Sequence, residues 1–328
     1  MKEIEFNLLL NVLENKNWSD MSIASKLSLT LEEVKNTRKS LVANSFLTED
    51  LKITSKGINA IRPYKVDNAI IMAAGASSRC LPLSRILPKG LFVVKGEVLI
   101  EREIKQLIEA GISNIIVVAG YKSEKFLYLK EKYEVKIVIN DEYLTKNNIS
   151  SIFAIKDYLA NSYICCADNY YTNNIFEKYV YESFYICNFT KEFADEYCIS
   201  ENDYGYIENI RRGGKNQWFT IGANFWSRQF SMKFRELLEK EYDEPETENL
   251  LVDDFHIKHL SKLPIVAKKM QDGIVYEFDT LEEIREFDTG FKAYEKEAPL
   301  RDGGTGESGT LWKERADSDT GGKGPGSP

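Results

Sequence analysis

The feature that most narrows the fold of this chain is a buried-strand run, Ala69-Ile-Ile-Met-Ala73, emptying into a loop of small residues that Arg79 closes. Apolar runs recur at Ile115–Ala119, Val135–Ile139 and Tyr163–Ala167, with a shorter one at Phe92–Val94. Between them lie helical patterns: Ile100, Ile104, Leu107 and Ile108 as far as Gly111, then Phe126–Tyr133 and Ile149–Leu159. Continuous apolar strands alternating with helices predict an α/β domain, Rossmann-like, with a mixed but mostly parallel sheet covered on both faces. Ligands in such sheets sit beyond the carboxyl ends of the strands. Attention falls on Ala73–Arg79, Gly120-Tyr121 and Asp168-Asn169.

The α/β pattern begins only after Arg62-Pro63-Tyr64. Residues 1–65 read as helices over 3–15, after Ser19 and after Thr30, which has Glu33 at capping-box spacing. Ser45–Thr54 is expected to form a two-stranded wing and Ser55–Ile61 a closing helix. This order resembles a winged helix-turn-helix, so the chain is expected to divide into a winged-helix module over 1–65, an α/β domain over 66–294 and a tail over 295–328. The module carries a charge balance of +2, which leaves −10 for the remainder of a chain with net charge −8. DNA binding through Lys35, Arg38 and Lys39 is one reading of it; a dimerisation or sensing module is the other, because Glu32 and Glu33 would face phosphates. The tail holds eight glycines and three prolines and is expected to be disordered. Five cysteines, two of them adjacent, do not make a disulfide framework. With no membrane-length apolar run and no signal peptide, that places the protein in a reducing cytoplasm.

Ala73, Ala74, Gly75, Ser77 and Ser78 let backbone amides approach a polyphosphate, and Arg79 adds a planar cation. Pro88-Lys89 supplies a second cation. No Gly-Lys-Ser/Thr opens a helix here, so this is not a Walker A loop.

Met72–Arg79 followed by Leu87-Pro-Lys-Gly-Leu91 looks like the signature of nucleotidyltransferases that join an NTP to a phosphorylated small molecule, with Ser77 where the usual form has Gly. Ala119–Lys122, Val138–Tyr143, Lys146–Asn148 with Ser151, Leu159–Tyr163 and Ala167–Tyr170 are together similar to bacterial choline-phosphate cytidylyltransferases. That resemblance implies CTP and phosphocholine as substrates, with Mg²⁺ as cofactor. It makes Arg79, Lys89 and Asp168 catalytic and assigns Asp168 and Asp253 to the metal, with Asp254 as the near alternative. It assigns the pyrimidine to the Ala74-Gly75 backbone, Gly120, Asn148 and Ser151, and a cation–π cage for choline to Tyr197, Phe225 and Trp226. Asn147 and Asn148 read equally well as a turn or cap before a helix, and Asp279 reads as a helix cap.

Two rival functions share these motifs. A sugar-1-phosphate nucleotidyltransferase would use the same loop, and a transcription regulator would sense a nucleotide or phosphocholine without turnover. A scaffold for a separate choline kinase partner is a third reading. His256 and His259, beside Asp253, have the spacing of a transition-metal pair, but a phosphate site with a hard cation has no use for imidazole. Cys80 adjoins the phosphate loop.

Overall fold

The computed structural model describes residues 1–14, 19–27 and 29–291; the Gly-rich tail over 295–328 lies outside them. The chain opens with α1 (Glu3–Glu14), α2 (Asp20–Leu27), α3 (Leu31–Ala43) and α4 (Ser55–Ile61). Phe6, Leu8, Leu9, Ile23, Val34, Leu41, Leu47 and Ile61 form their core. The Thr30 hydroxyl accepts from Glu33 N at 3.2 Å and the Glu33 carboxylate accepts from Thr30 N at 2.8 Å, so the capping box forms. Where a two-stranded wing is expected, Leu47 and Ile53 form an antiparallel bridge, flanked by Thr48 N donating to Lys52 O at 2.9 Å and Thr54 N donating to Phe46 O at 3.1 Å. Arg38, expected to reach a duplex, is turned onto Asp20 in a two-oxygen pair at 2.8 and 2.7 Å.

The α/β body begins with β1 (Asn68–Ala73), then the hairpin of β2 (Val93–Val94) and β3 (Glu97–Val98), then α5 (Leu99–Glu109) and β4 (Ile115–Ala119). Next come α6 (Tyr128–Tyr133), β5 (Lys136–Ile139), α7 (Ile149–Ala154), β6 (Ser162–Cys166) and β7 (Asn169–Tyr171). Four antiparallel strands follow: β8 (Phe184–Thr190), β9 (Ala194–Glu201), β10 (Ile207–Gly214) and β11 (Gln217–Trp226). The described chain ends with α8 (Arg228–Glu241), α9 (Val252–Lys258), β12 (Val266–Lys269), β13 (Val275–Glu277) and α10 (Leu281–Phe287). Helix α7 is shorter than the periodicity predicts, because Ile155 leaves helical geometry and a 3-10 turn over Lys156–Tyr158 completes the segment.

The main sheet has nine strands among the described residues, with β6, β1, β4 and β5 adjacent and parallel. β11 runs antiparallel to β6 and makes the sheet mixed. From β1 the chain moves to β4 and β5 on one side and returns to β6 on the other. The crevice between the carboxyl ends of β1 and β6 is therefore the topological switch point, the usual seat of a ligand in open α/β sheets.

The N-terminal helices rest on this body through Phe6, Tyr64 and Tyr181, whose ring centroids lie 4.9–5.4 Å apart. Residues Met1–Phe291 pack as one compact unit. No described helix is long and apolar enough to cross a membrane.

Candidate active site

The phosphate loop leaves β1 at the switch point. Ser77 sits in the left-handed region at φ 52°, a conformation a side chain adopts at a cost of about 1–2 kcal/mol. Beyond Gly75 there is open space: a Cβ there would meet nothing within 4 Å. Lys89 and Gly90 form a 3-10 turn that presses on the end of β6, where a Cβ on Gly90 would lie 2.8 Å from that of Ala167. That close approach sets the Lys89 ammonium 2.7 Å from Asp168 and 3.3 Å from Asp279. Burial works against the charge of Lys89, but the two carboxylates outweigh it and hold the group above the ordinary lysine range. Arg79 is mostly exposed and lies 2.9 Å from Asp279.

Three carboxylates converge here. Oxygens of Asp168, Glu277 and Asp279 all lie within 4.8 Å of one another. They meet because β7 and β13 form a two-stranded antiparallel ribbon beside the main sheet, in which Asn169 stands opposite Glu277. Phe278 N donates to Asp168 O at 3.3 Å. Residues alternate faces along a strand, so Glu277 and Asp279 share the cleft side while Phe278 is buried. The setting of the Glu277 carboxyl, first by desolvation and then by the charges of Asp168 and Asp279, raises its pKa to about 8. Asp168 Oδ1 is buried without a hydrogen-bond partner among the described residues. An orphaned carboxylate oxygen beside two further carboxylates is a donor set that suits a hard divalent cation.

The second metal carboxylate is expected at Asp253, which stands outside this group of three. Asp253 lines the same cleft as Asp168, whose two carboxylate neighbours are Glu277 of β13 and Asp279, two residues beyond it. Asp253 lies beside Tyr185, and burial, reinforced by Asp254, raises its pKa to about 6. Asp254 accepts from the Tyr197 hydroxyl at 2.8 Å and from Leu251 N at 3.2 Å, and so secures the start of α9.

Asp279 is not the helix cap. The cap of α10 is Thr280, paired with Glu283. One residue earlier, the Asp279 carboxylate is free to meet Arg79 and Lys89.

The cleft has a volume of about 680 Å³, within the range of small-molecule sites. Gly75, Ser77, Ser78, Arg79, Lys89, Asn148, Asp168 and Tyr197 all line it, as expected. The side chains of Ala73 and Ala74 are buried behind the loop. Gly120 is not on the wall: a Cβ there would lie 2.8 Å from the Tyr143 ring and 2.9 Å from Ala74 O, so its lack of a side chain lets the end of β4 close on the loop. Ser151 is also buried, and its hydroxyl accepts from Asn140 at 2.9 Å. The Asn148 side chain does not cap α7; its Oδ1 accepts from Val252 N at 2.8 Å and ties α7 to α9.

Phe225 and Trp226 are core, not cage. Both are fully buried, Phe225 against Tyr163 and Phe184, and Trp226 against Phe230 and Phe234 of α8. They pair with β6 inside a sheet covered on both faces, so neither ring reaches the cleft. Tyr185 and Tyr197 are the rings that do. His256 is enclosed, with Nδ1 2.8 Å from the Tyr185 hydroxyl and Nε2 2.8 Å from Leu263 O. Burial lowers its pKa to about 4, so it is neutral and donates from Nε2 to the carbonyl.

The sequence matches the nucleotidyl transferase family model over residues 68–213. It is 33% identical over 220 residues to a choline-phosphate cytidylyltransferase of Streptococcus pneumoniae, covering 67% of this chain and 96% of that protein. It is 34% identical over 243 residues to a 2-aminoethylphosphonate cytidylyltransferase of Lancefieldella rimae, covering 72% and 96%. The solved structure of a CTP:phosphocholine cytidylyltransferase from Streptococcus pneumoniae superposes with a TM-score of 0.66 at 33% identity, covering 69% of this chain and 98% of that one. With the phosphate loop, the two cations and the strand-end carboxylate at the switch point of such a sheet, this chain belongs to the nucleotidyltransferases.

Proposed function

We propose that the protein is a CTP:phosphocholine cytidylyltransferase that uses Mg²⁺. The observation that carries this reading is the convergence of Lys89, Arg79, Asp168, Glu277 and Asp279 in one cleft, in a chain one-third identical to choline-phosphate cytidylyltransferases. A phosphate oxygen of phosphocholine attacks the α-phosphorus of CTP; the new P–O bond forms as the bond to the β-phosphate oxygen breaks and pyrophosphate leaves. No general base is needed, because a phosphate monoester with a second pKa of about 6 is largely dianionic at neutral pH.

The barrier is the repulsion between two anions, so the protein acts by positioning and charge neutralisation. Asp168, Glu277 and Asp279 would hold the Mg²⁺, which supplies positive charge to the reacting phosphates. The loop from Ala74 to Ser78 presents backbone amides to the polyphosphate, and Arg79 and Lys89 bring the two side-chain cations. Asn148, which lines the cleft, is the side chain assigned to the base.

One observation favours a second acceptor. With Phe225 and Trp226 in the core, the acceptor end offers Tyr185 and Tyr197 together with the carboxylates of Glu196 and Asp253. A primary ammonium has three N–H donors that need acceptors, whereas a quaternary ammonium needs ring faces. This balance suits 2-aminoethylphosphonate, the acceptor named for the second relative.

The test is pyrophosphate release with Mg²⁺ across CTP, UTP, ATP and GTP against phosphocholine, phosphoethanolamine, 2-aminoethylphosphonate and glucose-1-phosphate. Release with CTP and phosphocholine, lost in Asp168→Ala, supports the first reading. A preference for the primary amines replaces the acceptor, and no release with any pair sinks the enzyme reading.

For residues 1–65 we favour a winged-helix-like sensing or dimerisation module over a DNA reader, because the Asp20 pair engages Arg38. Salt-dependent binding to duplex DNA would reverse that choice.

A further inference from the structure

The ribbon of β7 and β13 holds Glu277 at its end and is flanked there by Asp168, one residue before β7, and Asp279, two residues after β13, yet it is separate from the main sheet. What holds its far end is α5. Arg102 donates to the carbonyl of Tyr171 from Nε at 3.1 Å and from Nη2 at 2.9 Å, and Gln106 Nε2 donates to the same oxygen at 3.1 Å. Arg102 Nη2 also reaches Thr172 O at 3.3 Å. Its guanidinium carbon stands 4.4 Å from the Tyr170 ring centroid, and Nη1 pairs with Glu97.

Thr172 N donates to Ile274 O at 2.9 Å, so by strand alternation the Tyr171 carbonyl points off the other edge of the ribbon. One donor would satisfy that carbonyl; three side-chain donors converge on it. Residues 102 and 106 are four apart on one helix face. The same helix buries Ile100, Ile104 and Leu107 in the core that contains Ile71 of β1. The donors therefore tie the carboxylate ribbon to the strand that bears the phosphate loop.

We propose that Arg102 and Gln106 are positioning residues, which set the placement of the β7–β13 ribbon and with it the spacing of Asp168, Glu277 and Asp279 around a divalent cation. The inference rests on reading those carboxylates as the metal site. Neither residue touches the cation; both act through the Tyr171 carbonyl.

The test is calorimetric titration of metal-free protein with Mn²⁺, alongside steady-state kinetics. Gln106→Leu and Arg102→Met are each expected to weaken Mn²⁺ binding about tenfold, as loss of a residue that supports metal ligands does. The value of kcat should fall while KM for CTP holds. Arg102→Lys should restore little, because an ammonium cannot reproduce the fork.

Folded variants that bind Mn²⁺ like the wild type would overturn the proposal, as would a KM for CTP that rises in step with the metal constant. If Arg102→Met does not fold, Gln106→Leu decides, since it removes one hydrogen bond and keeps much of the side-chain volume. Failure of the wild type itself to bind Mn²⁺ overturns the metal reading and this inference together, an outcome distinct from wild-type binding with unaffected variants.

Discussion

Asn169 stands opposite Glu277 in the antiparallel ribbon of β7 and β13, and that pairing delivers a carboxylate from the end of the fold to Asp168 at the end of β6. Glu277 is thereby a cleft residue as central as Lys89. The clearest consequence concerns pH.

In the metal-free protein the Glu277 carboxyl has its pKa raised to about 8, so below that pH a proton must leave before a cation can bind. Divalent-metal affinity should therefore rise with pH and level off above about 8, changing by up to about tenfold per pH unit below it. Mn²⁺ titrations between pH 6.5 and 9 test the slope, and Glu277→Gln should both weaken binding and flatten the profile.

Asp253 is expected to cost stability. Its folded pKa is raised to about 6 from 3.8, so its contribution is most favourable below the unfolded pKa and is lost as pH rises through about 6. Asp253→Asn should stabilise the protein by about 1–2 kcal/mol at pH 7.5, with no gain at pH 3.5. Thermal melts at the two values check the sign. If Asp253 also contacts a cationic acceptor, the same variant raises the acceptor KM.

Ser77 in the left-handed region predicts an ordered series of substitutions. Ser77→Gly removes strain but adds unfolded-state entropy, so it should lie between neutral and about 1 kcal/mol more stable. Ser77→Val, with a β-branched side chain at positive φ, should be less stable by more than 1 kcal/mol. Denaturant unfolding of the three proteins gives the order.

Gly90→Ala should damage the site through packing alone. A methyl at 2.8 Å from Ala167 Cβ must push the Lys89 turn away from β6. The expected loss is about 1–3 kcal/mol of stability with a larger fall in kcat than in CTP binding, measured by pyrophosphate release and nucleotide titration.

What was legible in the sequence was local or periodic. The Thr30–Glu33 capping box depends on residues three apart, and the strands Ile115–Ala119 and Tyr163–Ala167 announce themselves because a strand buried on both faces has no room for polar residues. Asp168 and the loop from Ala73 to Arg79 follow from those strands, since in a parallel sheet every such strand delivers its C-terminal loop to the same edge. Glu277 and Asp279 were not legible as site residues, because their alternation around Phe278 says that they share a face but not which strand they join. Phe225 and Trp226 show the converse: an aromatic pair has the same composition in a cage as in a core, and only their pairing with β6 under α8 buries them. For Asp279, a shift of one residue in the cap separates opening α10 from meeting Lys89 and Arg79. The α/β order, the phosphate loop and Asp168 follow from short-range pattern alone. Glu277, Asp279 and the tyrosine wall of the cleft are set by long-range strand pairing, which brings together residues whose local surroundings carry no mark of one another.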